Sequence, residues 1–183
     1  MMGDVPILST PQSRTRGRSG AESVPRVVGP HDGEALDFGS FGARFIVRGE
    51  ESGGGFSLLE HPIPPRTLVA PLHRHSREDE YSFVLEGSMG VLLGDDVVEA
   101  GPDDLVFKPR GQWHTFWNAG DGPCRILEIV SPAGFERIFA EMAADPAAMT
   151  GEEAAALDAR YGLEVDYDSI PRLCEAYGLV FPA

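Results

Sequence analysis

From about residue 35 to residue 131 the chain offers only short β-like runs cut by Gly, Pro and Asp, and this rhythm narrows the possible architectures more than any other feature. The runs are "ARFIVRG", "GFSLLEH", "TLVAPLH", "EYSFVLEG", "MGVLLG", "DDVVEA", "DLVFKP", "WHTFWN" and "CRILEIV". Many short strands with close turns and no helix between them fold as a sandwich or a barrel. No sequence repeat is evident.

The flanks behave differently. Residues 1–30 are rich in Ser, Arg, Gly and Pro without a hydrophobic period, the signature of a flexible arm. Its basic cluster of Arg14, Arg16 and Arg18 reads as solvated. After Ser131 the period becomes helical. Ser131-Pro132 is a suitable helix start, and Phe135, Ile138, Phe139 and Met142 then share one face. Asp145-Pro146 stops that helix. Thr150 and Glu153 form a capping box for a second helix, which Gly162 ends, and a third is expected over about 169–177, before Gly178. Too few apolar residues remain there for a separate core. The expected organisation is an N-terminal arm at 1–30, a β-barrel at 31–131 and a helical extension at 132–183 packed on the barrel.

Composition excludes several functions. With 183 residues the chain can bury a core without disulfide staples, and Cys124 and Cys174 fit no zinc or redox spacing. The formal net charge is −14, from 29 acids against 15 bases, which repels a phosphate backbone and argues against nucleic-acid binding. No apolar run reaches membrane-spanning length and no secretory start is visible, so the expectation is a cytoplasmic protein without a membrane partner.

Two of the five histidines, His73 and His75, lie one residue apart. On a strand, residues i and i+2 share a face, so these imidazoles project side by side. The polar turn "SRED" leads into the strand of Glu80. If Glu80 faces inward, Ser82 and Val84 share its face, and a hairpin-like return brings its carboxylate back to the imidazoles. Downstream, Pro109 and Gly111 build a tight turn before His114. Three histidines and one carboxylate on neighbouring inward faces suit one divalent transition metal, from Fe, Mn, Ni, Co, Cu and Zn. Structural zinc is disfavoured, because no thiolate is near.

These residues carry a resemblance. His73-x-His75-x4-Glu80-x6-Gly87 is similar to the first motif of the cupin superfamily, and Pro109-x-Gly111-x2-His114-x3-Asn118 to its second. The wider run from "GGFSLLEH" to "SPAGFERIF" looks like the single-domain, quercetin-dioxygenase-like branch. The resemblance implies an all-β jelly-roll barrel with a metal inside, ligated by His73, His75, Glu80 and His114, and frequent dimers. Two family glycines are replaced, by Thr67 and Asp103, and neither position supplies a ligand.

Blander readings apply nearby. Glu78 and Asp79 sit in a polar turn, where surface charge is the default. Asn118 reads as a turn former before "AGDG". Glu128 is either an acid inside the barrel or, by preference, an outward ion-pair partner. Lys108 is the only lysine beside fourteen arginines, which Arg-biased composition explains without function. His31 and His61 need no special role. With the ligands inward, Tyr81, Phe83 and Leu85 on one strand, and Trp113, Thr115 and Trp117 on another, face outward. Rows this apolar require cover from the C-terminal helices or a second subunit, and a homodimer is expected.

A divalent metal held by neutral histidines and one carboxylate keeps about one net positive charge and favours an anionic oxygen ligand. Val69, Val84, Phe116, Phe45 and Phe56 are candidates for an apolar pocket around a small, enolisable or aromatic substrate. By resemblance the expectation is a dioxygenase that uses O2, with Glu80 as both ligand and catalytic base. A Lewis-acid isomerase or lyase and a non-catalytic sensing module are the alternatives, because one fold hosts many reactions.

Overall fold

A computed structural model describes residues 25–39, 41–145 and 151–181. The first 24 residues, with Arg14, Arg16 and Arg18, and the capping residue Thr150 lie outside that range. The strands are β1 (Ala35–Asp37), β2 (Gly42–Val47), β3 (Ser57–Ile63), β4 (Leu72–His75), β5 (Asp79–Glu86), β6 (Met89–Leu93), β7 (Asp96–Ala100), β8 (Leu105–Lys108), β9 (His114–Asn118), β10 (Cys124–Ser131) and β11 (Leu163–Asp166). The helices are α1 (Arg137–Ala144), α2 (Gly151–Tyr161) and α3 (Ser169–Tyr177).

The strands form two antiparallel sheets with the jelly-roll fold. One runs β1-β2-β3-β10-β5-β8 and the other β11-β4-β9-β6-β7. Among the described residues no ladder joins the sheets into a closed barrel. Each of the nine sequence runs overlaps a strand, but β4 begins only at Leu72. Pro71, which has no N–H to donate, immediately precedes it. β1 and β11 carry too few residues to reveal a period. β11 pairs with β4 from Leu163 opposite His75 to Asp166 opposite Leu72, so the C-terminal region supplies a strand as well as helices.

Alternation places the core. Leu59, Val84, Val91 and Ile126 are fully buried between the sheets, each burial stabilising by about 1.5–3 kcal/mol. Outside the five-stranded sheet, Trp117 packs with Leu68, Leu173 and Leu179, and stacks on Tyr177 with ring centres 4.6 Å apart. The C-terminal segment therefore covers the Trp117 row. The β5 row is less protected: Tyr81 stacks on Phe107, and Phe107 and Leu105 on the edge strand β8 are 48% and 58% exposed.

The first helix starts later than the sequence suggests. Ser131 is the last residue of β10, paired with Asp79 of β5, and α1 begins at Arg137. Its apolar face still turns inward, with Ile138 buried and Phe139 and Met142 packed against the core, and Phe135 just before it is buried as well. Asp103, at one of the replaced glycine positions, adopts φ 73°, a left-handed conformation that Asp tolerates better than most residues. Asn118 organises its turn as expected. Its amide donates to the carbonyls of Ile63 and Gly122 at 3.0 and 2.8 Å and accepts from the Gly120 N–H.

Candidate metal centre

The pleat of β4 points His73 and His75 inward, and His73 lies in register with His114 across β9. Glu80 reaches the same space from β5 in the opposite sheet, with Ser82 and Val84 on its inward face. The donor atoms of His73, His75, Glu80 and His114 all lie within 4.8 Å of one another, and all four residues are buried. Strand periodicity thus brings together the four residues that the motif spacing singled out.

The hydrogen bonds fix which nitrogens face inward. His73 Nδ1 donates to the Pro71 carbonyl at 2.8 Å and His114 Nδ1 to the Gln112 carbonyl at 2.9 Å. A carbonyl only accepts, so in the neutral rings Nε2 is left with its lone pair. Glu80 holds one oxygen 3.1 Å from His75 Nε2 and the other 3.1 Å from His114 Nε2. His75 is fully buried, and its ring nitrogens face the carboxylates of Glu80 and Glu78 without well-aligned hydrogen bonds. A fully buried imidazole whose ring nitrogens face only carboxylates, beside two others whose Nδ1 protons are engaged by backbone, marks a site organised around positive charge and fits a cation among the four. The donor set suits a divalent transition metal.

Behind Glu80 stands a group that sequence reasoning set aside. Lys108 is fully buried, and its Nζ lies 2.9 Å from both Glu80 Oε2 and Glu128 Oε1. Register accounts for this: Lys108 pairs with Glu80 across β5–β8, and Glu128 with Ser82 across β5–β10. The Ser82 hydroxyl donates to Glu128 Oε2 at 2.7 Å. Glu128 therefore points inward, against the expectation of an outward ion pair, and Lys108 is the counter-ion of two buried acids rather than a compositional accident. Glu78 also departs from expectation. It is 5% exposed, with Oε2 3.8 Å from His75 Nδ1, whereas Asp79 makes the surface ion pair with Arg110.

The electrostatics follow from this arrangement. Burial alone would raise Glu80, but His75 and Lys108 hold it well below the usual carboxylate range. Burial would lower His75, but the carboxylates of Glu80 and Glu78 outweigh it and raise the ring to about 9. Burial, with His114 and His75 close by, keeps His73 neutral. Burial pushes Glu128 up, with Lys108 opposing. Without a cation, the proton on His75 offsets the negative charge that Lys108 leaves unmatched. A bound cation replaces that proton, as metal binding to imidazole generally does.

His73 and Glu80 open onto a cavity of about 800 Å³ between the sheets and under α1 and α2. Val69 and Phe116 line it as expected, whereas Val84 and Phe45 are buried in the core away from it and Phe56 is 39% exposed. Phe41, Phe135 and Phe139 take their place. His61 and Glu128 also face this space. A clue to His61 was present in "LLEHPI", where it falls on the same strand face as Leu59 and Ile63.

Comparison with known proteins agrees with this geometry. The family description "Cupin domain" matches residues 60–130. The chain is 35% identical over 60 residues to the tetracenomycin polyketide synthase protein TcmJ of Streptomyces glaucescens. That match covers 33% of this chain and 40% of that protein's length. The polyketide cyclase RemF from Streptomyces resistomycificus superposes with a TM-score of 0.52 at 30% identity, covering 59% of this chain and 80% of that one. KdgF from Halomonas sp. shares the fold at 14% identity and a TM-score of 0.51, covering 57% of this chain and 92% of that one. No helix among the described residues is long and apolar enough to cross a membrane. With both motifs in place and their four ligands converging between the two sheets of a jelly roll, the chain belongs to the cupin superfamily.

Proposed function

We propose that this cupin is a metal-dependent enzyme that enolises and ring-closes a large, apolar, polyketone-derived substrate. The observation that carries the reading is the cavity. Its volume of about 800 Å³, walled by aromatic and aliphatic side chains with the donor cluster on one side, suits a multi-ring molecule rather than a small polar metabolite. The likeness to a polyketide cyclase and to a polyketide synthase protein supports the same substrate class.

His73, His75, Glu80 and His114 would hold the metal, which when bound supplies Lewis acidity toward a substrate carbonyl oxygen. The remaining steps belong to the chain. The apolar walls exclude water and hold the folded substrate in a reactive geometry. Glu128, at the cavity surface, accepts the proton from a CH2 group flanked by two carbonyls. The resulting carbanion bonds to a carbonyl carbon further along the substrate, the oxygen formed there is protonated, and loss of one water completes the ring. Lys108 orients both carboxylates throughout.

The oxygenase reading keeps a specific support: three histidines and a carboxylate also suit redox-active metals, and the same enolate would serve O2. Dissolved oxygen and product mass separate the two. Metal-loaded protein given a synthetic poly-β-ketone is expected to yield a product lighter by one water, without O2 uptake. Oxygen uptake matching product formation would transfer the assignment to a dioxygenase. No turnover in any metal form would exclude both. Glu80→Gln, with rates normalised to bound metal, separates holding the metal from proton transfer. A loss of about 10²–10⁴-fold per metal would make Glu80 the base in place of Glu128.

A further inference from the structure

The polar groups of the cavity wall have a bias that its apolar character hides. Among the described residues, every side-chain hydrogen-bond donor lining it is already engaged within the protein. His73 Nδ1 donates to Pro71, and the Tyr167 hydroxyl donates to Asp158 Oδ2 at 2.6 Å. His61 Nδ1 donates to the Gly42 carbonyl at 2.8 Å. Among the described residues no lysine or arginine lines the space, and Lys108 behind it lies against Glu80 and Glu128. What the side chains leave to a ligand is acceptors.

His61 is the most informative of these. It is 3% exposed, on the inward face of β3, with its ring edge-on to Phe41 and Phe139 at 5.5 and 5.6 Å between centres. Gly42 fixes the proton on Nδ1, so Nε2 is an acceptor, and it has no protein partner among the described residues. Burial lowers this histidine to about 4, so it stays neutral near pH 7. On β10 next to β3, Glu128 lies two residue pairs along the ladder from Ile126, the partner of His61, and so on the same face. The two acceptors therefore sit on one wall, away from the β4 and β9 histidines.

We infer that the cavity is built for a neutral ligand that brings its own hydroxyl or enol donors, with His61 Nε2 and the Glu128 carboxylate as their acceptors. A ligand presenting anionic groups to this wall meets carboxylates and no free side-chain donor. A ligand whose hydroxyls are capped leaves His61 buried and unpaired, which is costly. The inference rests on the reading above only in taking this cavity as the substrate site. It narrows that substrate to a phenol- or enol-bearing polycycle.

The test is binding to the metal-loaded protein, measured by titration calorimetry with three probes: a naphthalene diol, its dimethyl ether and the corresponding naphthalene disulfonate. The diol is expected to bind roughly tenfold or more tighter than the ether, the equivalent of one buried hydrogen bond, and the disulfonate weakest. His61→Phe extends the apolar wall but removes the acceptor, and should bring the diol and ether to similar affinities. An ether or disulfonate that binds the parent as tightly as the diol overturns the inference, and this comparison needs no variant. An unchanged diol-to-ether ratio in a folded His61→Phe protein removes His61 from it. Turnover is a separate readout. Diol selectivity in a protein that cyclises nothing defeats the cyclase reading alone, whereas cyclase activity without diol selectivity defeats this inference alone.

Discussion

Replacing Lys108 with Met tests the electrostatic account of the site most directly. The side chain is fully buried and its ammonium sits 2.9 Å from each of two buried carboxylates. Met fills similar volume without charge, so packing changes little and the loss is almost wholly electrostatic. Removing one partner from a buried ion pair typically costs about 3–5 kcal/mol, because the other charge is stranded. Here two acids are stranded, and one of them would take up a proton. For a chain of this length the cost corresponds to a Tm drop of roughly 6–20 °C. The assay is urea or thermal unfolding of chelator-treated parent, Lys108→Met and Lys108→Met/Glu128→Gln. The double variant removes one stranded charge and should regain at least half of the loss. A metal at the cluster lies beside Glu80 and partly replaces the missing ammonium, so metal loading should narrow the gap between parent and Lys108→Met. The reasoning fails if Lys108→Met is within about 1 kcal/mol of the parent, or if the double variant is no more stable than the single one.

Three further outcomes are expected. Purified protein should carry up to one transition metal per chain, and Ala at His73, His75 or His114 should each lower occupancy by elemental analysis; a triple variant that binds metal as well as the parent refutes the site. His61 has a pKa of about 4 in the fold against a usual value near 6.5, so the unfolded chain binds the extra proton between those values and stability falls as pH drops through that window, by up to about 3 kcal/mol. Urea unfolding at several pH values should show a shallower dependence in His61→Phe, and parallel curves would contradict the neutral assignment. Finally, we expect a homodimer that uses the Tyr81 and Phe83 face with Leu105 and Phe107 of β8, since Trp117 is already covered by the C-terminal segment. Light scattering should report a dimer that Leu105→Glu/Phe107→Glu dissociates, and a monomeric parent at micromolar concentration would refute it.

What the sequence made legible is local in origin. Strands with alternating burial announced themselves, and the period of two was enough to put His73 and His75 on one face and Glu80 with Ser82 and Val84 on another. The three helices were visible because apolar spacing, Gly162 and Gly178 are local signals too. Lys108 was not legible. A lysine at the end of "DLVFK" reads as a solvated strand terminus until the β5–β8 register sets it against Glu80. Glu128 was hidden for a related reason: "CRILEIV" is apolar on both faces, so alternation gives no inward direction. Glu78 looked solvated because its neighbours in the turn are polar, although its own side chain folds back toward His75. For Lys108 and Glu128 the deciding contact spans two strands, and pairing register is not written in either strand alone, whereas for Glu78 it is a local fold-back across the turn.

The pairing of β11 with β4 also bears on the order in which this protein matures. The strand that holds His73 and His75 meets β9 in register at His73 and His114, while β11 runs beside all four of its residues. During synthesis the chain emerges from its N-terminal end, so β4, β5 and β9 are available long before Leu163–Asp166 exists. Until then β4 is an open edge, with unpaired backbone groups and two imidazoles held loosely. Release of the last strand and its docking would turn a wavering ligand pair into a fixed one. A metal held by this pair would be gripped firmly only once β11 has docked, and a nascent chain stalled before residue 163 is expected to bind it more weakly.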